Sequence, residues 1–225
     1  MLDKRLNQIV EKYPQTMDYF NKINIDYCCN GDDSLEFAIQ KNSYNKKEIL
    51  KELEACINKN EKTNISLDDF KKENIEGKFS HIKNIHHDYE RKLLEDIDEL
   101  LRKILLVHFK KHGQDLKKTY LIFVNIKARL LAHLAKEEKE IFPIFEKDYE
   151  KKDLVFLDEL KDEHKDMGEM LEKLKISTNN FKAPKDGCKT YELSFDKLKS
   201  LTEDIYLHIF KENSIIFKNL RNKFL

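Results

Sequence analysis

The sequence predicts an all-α protein: an up-down-up-down four-helix bundle preceded by a small helical N-terminal domain. Three observations carry that expectation. With 37% charged residues and only 5 Gly and 3 Pro in 225 residues, the composition is that of helices. Apolar residues recur at steps of three and four in four long stretches. One pattern, H-x-x-K-E-x-x-x-I-F, occurs twice, from His133 to Phe142 and from His208 to Phe217, 75 residues apart.

Residues 1–58 read as short helices separated by turns, the N-terminal domain. One turn, Asp26-Tyr-Cys-Cys-Asn-Gly31, leads into Asp33-Ser-Leu-Glu36, whose D-x-x-E spacing marks a helix start. Residues 59–77 are polar and aperiodic and read as a linker, so the bundle occupies 78–225. In its first helix, Ile82, His86, Tyr89 and Leu93 form one stripe; His87, Leu94, Ile97 and Leu101 lie on the flank. The second helix steps through Phe123, Ile126, Leu130, His133, Glu137 and Ile141. The third runs Leu157, Leu160, His164, Met167, Leu171, Leu174; the fourth runs Leu198, Leu201, Ile205, His208, Glu212, Ile215. Breaks are expected at His112-Gly113-Gln114, across Lys147–Asp153, and at Ala183-Pro-Lys-Asp-Gly187. Connections this short make neighbouring helices antiparallel.

Charge and hydropathy narrow the function classes. Forty-two basic and 42 acidic residues cancel, which removes a general electrostatic case for nucleic acid or an anionic membrane. No apolar run approaches the ~20 residues of a membrane span. The opening MLDKRLNQIVEKYP has no apolar core of a secretory signal, and four cysteines, two adjacent, do not form a disulfide framework. A soluble cytoplasmic protein is expected.

The inward stripes of the helices are interrupted by His and Glu, which is where the chemistry lies. Residues i and i+4 sit nearly one above the other on a helix, so His133/Glu137 and His208/Glu212 each aim an imidazole and a carboxylate at one spot. Up-down-up-down packing brings both pairs, His164 and the first-helix histidines to the same end of the bundle, at matching depth. Burying such groups in an apolar seam costs several kcal/mol per charge, and a cation offsets it. Four imidazoles give two per metal, and two carboxylates can each bridge both. That donor set suits iron or manganese, and also zinc; the lack of thiolate disfavours a structural zinc. Periodicity does not choose between His86 and His87 for the fourth imidazole. His81, His108 and His112 are expected at the surface or at helix ends, and Cys56 and Cys188 as ordinary half-buried thiols.

With these residues in place, nearly the whole chain resembles the repair-of-iron-centres (RIC) family of hemerythrin-like di-iron proteins. The resemblance rests on Asp26-Tyr-Cys-Cys-Asn-Gly31, His87-Asp88, His133-x-x-x-Glu137-Glu138 with Ile141-Phe-Pro143, Glu163-His164, and His208-x-x-x-Glu212. It implies His87 as the first ligand, with His133, His164 and His208, and Glu137 and Glu212 as bridging carboxylates around two oxo- or hydroxo-bridged non-haem irons. Oxygen-carrying hemerythrins differ: they have a second His where this chain has Gly168, and an Asp where it has Asn213. The resemblance further implies a stress-response iron donor that repairs iron–sulfur clusters damaged by oxidants or nitric oxide. Its partners would be the damaged iron–sulfur proteins, with NO or O₂ as small ligands and a homodimer as assembly. Cys28 and Cys29 become candidates for thiol redox or for handing on iron or nitric oxide. The rival functions are a di-iron reductase of NO, nitrite or peroxide, and an O₂ or NO sensor.

Overall fold

A computed structural model describes residues 1–58 and 67–224, and the described residues are all-α. They fall into two compact units. One comprises Met1–Asn74 with Ile209–Lys223; the other is Ile75–His208 together with Phe224.

The first unit begins with helices α1 Leu6–Lys12, α2 Thr16–Lys22, α3 Leu35–Lys41 and α4 Lys46–Asn58. The starts of α1 and α3 are pinned together: Leu6 N donates to Asp33 O at 2.9 Å and Leu35 N to Lys4 O at 3.0 Å. The D-x-x-E start is displaced by one residue, because Ser34 is the N-cap and its hydroxyl accepts from Phe37 N at 3.2 Å. Leu6, Ile9, Val10, Phe20, Tyr27, Leu35 and Leu53 form the core.

The stretch read as linker contains structure. Residues Leu67–Lys72 form helix α5, which buries Leu67 and Phe70. Two apolar residues three apart suffice for one buried edge, and Asp68 and Asp69 favour the N-terminal turn. Residues 59–66 of the expected linker lie outside the described residues.

The second unit begins with α6, Ile75–His81, which continues through a π-helical segment, Ile82–His87, into α7, Asp88–Val107. Helix α8, Phe109–Lys136, passes through a second π segment, Glu137–Ile141, into the short α9, Phe142–Phe145. After α10, Val155–Ser177, helix α11 runs from Lys189 to Lys211. A third π segment, Glu212–Ile216, and α12, Phe217–Asn222, follow it in the chain and belong to the first unit.

Side-chain pairs fix the directions. Along α7 and α8, Asp98 meets Lys127 at 2.6 Å while Arg91 meets Glu138 at 2.8 Å. Along α8 and α10, Arg129 meets Asp166 at 3.1 Å and Lys136 meets Glu163 at 2.8 Å. Along α7 and α11, Glu90 meets His208 at 3.0 Å and Asp96 meets Lys197 at 2.8 Å. As numbers rise on one helix they fall on its partner, so the four long helices alternate in direction. The apolar stripes close the seam, with Leu94, Ile97, Phe123, Ile126, Leu160, Leu171, Leu198 and Leu201 all buried.

The first expected break is misplaced. The chain turns at His108 (φ −101°, ψ 12°), and His112-Gly113-Gln114 lies inside α8. Gly113 is there for space: a Cβ on it would stand 2.9 Å from Cδ2 of Phe109. The glycine marks close packing within the first turn of α8, not the turn between helices.

Replacing Leu130, 2% exposed on α8, by Ala should destabilise the fold by about 2–5 kcal/mol. Leu106→Ala, at a side chain 81% exposed, should stay within about 0.5 kcal/mol. Denaturant melts of the two variants against the parent check this.

Candidate metal centre

Each π segment carries a residue singled out by the sequence: His87 ends the first, Glu137 opens the second and Glu212 opens the third. A π turn admits an extra residue and rotates everything beyond it relative to the ordinary 3.6-residue spiral. Such turns within long helices are frequent at functional sites.

Within the second unit, five of the candidates converge. His133, Glu137 and His164 bring ligand atoms within 4.8 Å of one another, and so do His87, Glu137 and His208. Glu137 belongs to both groups. Its Oε1 lies 3.2 Å from His133 Nε2, and its Oε2 lies 3.2 Å from His87 Nε2 and 3.9 Å from His208 Nε2. His164 Nε2 approaches His133 Nε2 at 3.2 Å. The carboxylate thus stands between two histidine pairs, with His133, and His164 beside it, on one side and His87 and His208 on the other. All five side chains are buried, His133 the most accessible at 8%.

The adjacent histidines divide their tasks. His87 turns into the centre, whereas His86 places Nδ1 3.1 Å from both carboxylate oxygens of Asp204. The His86 ring stacks on His208 with centroids 5.4 Å apart and planes at 11°, so it braces that ring from behind.

The outer nitrogens of three inward imidazoles have carboxylate partners. His87 Nδ1 is 2.7 Å from Glu138 Oε1, His133 Nδ1 is 2.7 Å from Glu163 Oε2, and His208 Nδ1 is 3.0 Å from Glu90 Oε1. A carboxylate accepts only, so Nδ1 carries the proton and donates it, and Nε2 keeps its lone pair toward the centre. That is the tautomer a metal ligand needs. The supports are neutralised from outside, Glu138 by Arg91 at 2.8 Å and Glu163 by Lys136 at 2.8 Å. His133, followed by Lys136, holds the Glu163 carboxyl down at about 2 despite its partial burial. Burial raises the Glu138 carboxyl, but its bonds to His87 and Arg91 outweigh that and leave it below the usual range.

These atoms fit a cation. Two donors about 2.1 Å from one first-row divalent ion, at right angles, stand about 3 Å apart, close to the 3.2 Å separations around Glu137. His87 Nε2 is fully buried with no hydrogen-bond partner among the described residues. Lone pairs collected in an apolar seam with no donor to answer them are stabilised by a metal.

Glu212 lies one turn beyond His208 on the same helical run, with no solvent exposure. It falls in the first unit. There the Asp26–Gly31 loop is held by the same stretch of helix: Asn213 Nδ2 donates to Cys28 O at 3.1 Å, and Tyr27 packs edge-on to Phe210 at 5.8 Å. Asp26 Oδ1 accepts from Cys28 N and Cys29 N at 3.1 and 2.9 Å, and lies 3.2 Å from Cys28 Sγ. The two sulfurs are 3.7 Å apart and unbonded. Burial, then the neighbouring Cys29 and Asp26, push the Cys28 thiol well up, which favours the protonated form.

The supporting residues Glu90, Glu138 and Glu163, and the brace His86, were not assigned these roles from the sequence. Each sits within three positions of a ligand candidate, but charge is so frequent in this chain that adjacency alone carries no signal.

Comparison with known proteins finds two family matches and a set of relatives along nearly the whole chain. The Hemerythrin HHE cation binding domain matches residues 79–220, and a domain of unknown function (ScdA_N, DUF542) matches residues 2–57. The chain is 25% identical over 217 residues to the iron-sulfur cluster repair protein ScdA of Staphylococcus epidermidis, covering 94% of this chain and 95% of that one. It is 29% identical over 221 residues to the iron-sulfur cluster repair protein YtfE of Enterobacter sp. (strain 638), covering 96% and 95%. Against YtfE of Escherichia coli O81 it is 27% identical over 220 residues, again covering 96% and 95%. No helix among the described residues is long and apolar enough to cross a membrane.

Glu163→Gln keeps the shape but removes the anion that fixes His133. It should weaken metal binding by about 10–100-fold with unchanged helix content. Competition with a chromogenic chelator, alongside circular dichroism, measures both.

Proposed function

Because the chain belongs to the hemerythrin HHE cation-binding family, we propose that it is a di-iron protein that repairs damaged iron–sulfur clusters by donating iron. The observation that carries this reading is Glu137 standing between two histidine pairs, one carboxylate oxygen toward each. The names of the ScdA and YtfE relatives, which match along nearly their full length, point to cluster repair as the process.

In this reading His87 and His208 would hold one iron and His133 and His164 the other. Glu137 would bridge them, and Glu212 would be the second bridge, as the family resemblance implies. Bound iron supplies Lewis acidity and one-electron redox chemistry. The chain supplies a ligand set suited to release as well as retention. Neutral imidazoles and two carboxylates bind a less charged ion less strongly, so reduction loosens the site. Gly168, one turn after His164 on α10, contributes no side-chain ligand, leaving fewer donors to dissociate on that side. Glu90, Glu138 and Glu163 keep the imidazoles oriented while the site is empty, so it can be reloaded without refolding. The clients are iron–sulfur proteins damaged by oxidants or nitric oxide. NO and O₂ are the small ligands such a centre would meet, and a cytoplasmic homodimer is the setting implied by the resemblance.

Anaerobically purified protein should carry about two irons per chain, with sharp loss in His133→Ala and Glu212→Ala. The iron-loaded protein should restore activity to an enzyme whose cluster has been damaged by NO or peroxide, and the metal-free protein should not. One zinc per chain, or failure of the loaded protein to restore the cluster, would contradict the proposal. Sustained reductant-driven consumption of NO, nitrite or peroxide without iron loss would favour the reductase reading instead.

A further inference from the structure

At the corner where α7 turns into α8, the second unit holds a cluster that the metal chemistry does not use. Cys188 Sγ lies 3.2 Å from His108 Nε2, and the cysteine is exposed. Cys188 is also the residue immediately before α11, and its carbonyl accepts from Tyr191 N at 2.8 Å and Glu192 N at 3.1 Å. The sulfur therefore has two independent sources of positive potential, an imidazole and the N-terminus of a 23-residue helix.

The surroundings hold His108 in place. Tyr191 meets the His108 ring edge-on at 5.4 Å and the His112 ring at 6.0 Å. Asp186, two residues before the cysteine, is engaged elsewhere, by Lys111 Nζ at 3.0 Å and His112 Nε2 at 3.0 Å. The other charges near the corner are Lys189, next to the cysteine, and Asp115, which acts on Tyr191. The carboxylate nearest in sequence is thus neutralised, and the imidazole facing the sulfur has no competing acid among its described contacts.

We propose that Cys188, paired with His108, is a redox-reactive thiolate that hydroperoxides oxidise to a sulfenic acid. The thiolate sulfur attacks the terminal peroxide oxygen. An S–O bond forms, the O–O bond breaks, and the leaving alkoxide or hydroxide takes the proton that the thiol gave up to His108. Sulfur loses two electrons and the peroxide gains them; the products are cysteine sulfenic acid and an alcohol or water. The His108 contact, reinforced by the backbone N–H groups of Tyr191 and Thr190, holds this thiol down at about 7. The attacking thiol is best placed when its pKa is near ambient pH. Cys28, buried and held protonated, is the opposite case within the same chain.

The discriminating readout is the pH midpoint of alkylation, not the rate at one pH. A less basic thiolate is also less nucleophilic, so the net gain at pH 7 over an ordinary thiol is only about threefold. On the full-length protein, iodoacetamide labelling resolved by peptide mass should give a Cys188 midpoint near 7. His108→Gln should move it up by about one pH unit, with the melting curve unchanged. Substoichiometric hydroperoxide with dimedone should label Cys188 ahead of Cys28, Cys29 and Cys56. A parent midpoint near the ordinary value of about 8.5, a midpoint unmoved in His108→Gln, or dimedone on Cys29 with none on Cys188 would overturn the proposal. The parent's own midpoint and labelling order decide it even if the variant folds poorly.

Discussion

A buried carboxylate between two pairs of imidazoles organises the bundle around it. Glu137 has no solvent exposure, and its two oxygens face His133 on one side and His87 and His208 on the other. An anion there costs several kcal/mol unless a cation accompanies it, because the walls of the seam are leucine and isoleucine. The polar features of this end of the bundle answer that requirement. The imidazoles present bare nitrogens, the outer carboxylates fix their tautomers, and Arg91 and Lys136 neutralise those carboxylates where the bundle meets water. Charge alternates outward from the centre, each layer answering the one inside it.

Much of this was legible in the sequence, for a physical reason. Metal ligands on a bundle must occupy core positions, so they interrupt an apolar stripe, and the interruption is visible when it occurs twice in identical surroundings. Four of the residues that the second unit gathers, His133, Glu137, His164 and His208, are ones the repeat and the third-helix stripe pick out, whereas His87 was singled out only by the family resemblance. The choice between His86 and His87 was beyond periodicity because Ile82–His87 is π-helical, where the 3.6-residue phase no longer holds. Gly113 misled in a related way. A glycine signals either a turn or a tight contact, and here it accommodates the Phe109 ring while the corner falls at His108. Helix α5 was hidden because two buried side chains, Leu67 and Phe70, are too few to establish a period. The supporting glutamates could not be told from solvated ones without knowing which side chain each faces.

The chain treats its cysteines in contrasting ways. In the first unit the Cys28 thiol is buried against Asp26, an arrangement that favours the protonated, unreactive form. In the second, Cys188 is exposed beside an imidazole and a helix N-terminus, which favours the thiolate. Under the proposed function the protein would meet hydroperoxides. A thiolate far along the helices from the metal ligands would register them without disturbing the ligand set.

The central claim is that two metals sit on opposite sides of Glu137. Anomalous scattering at the iron edge from crystals of the iron-loaded protein tests it most directly. The account predicts two peaks, one beside His87 and His208 and the other beside His133 and His164, with the Glu137 carboxylate between them. A single peak, or iron bound away from Glu137, would contradict it.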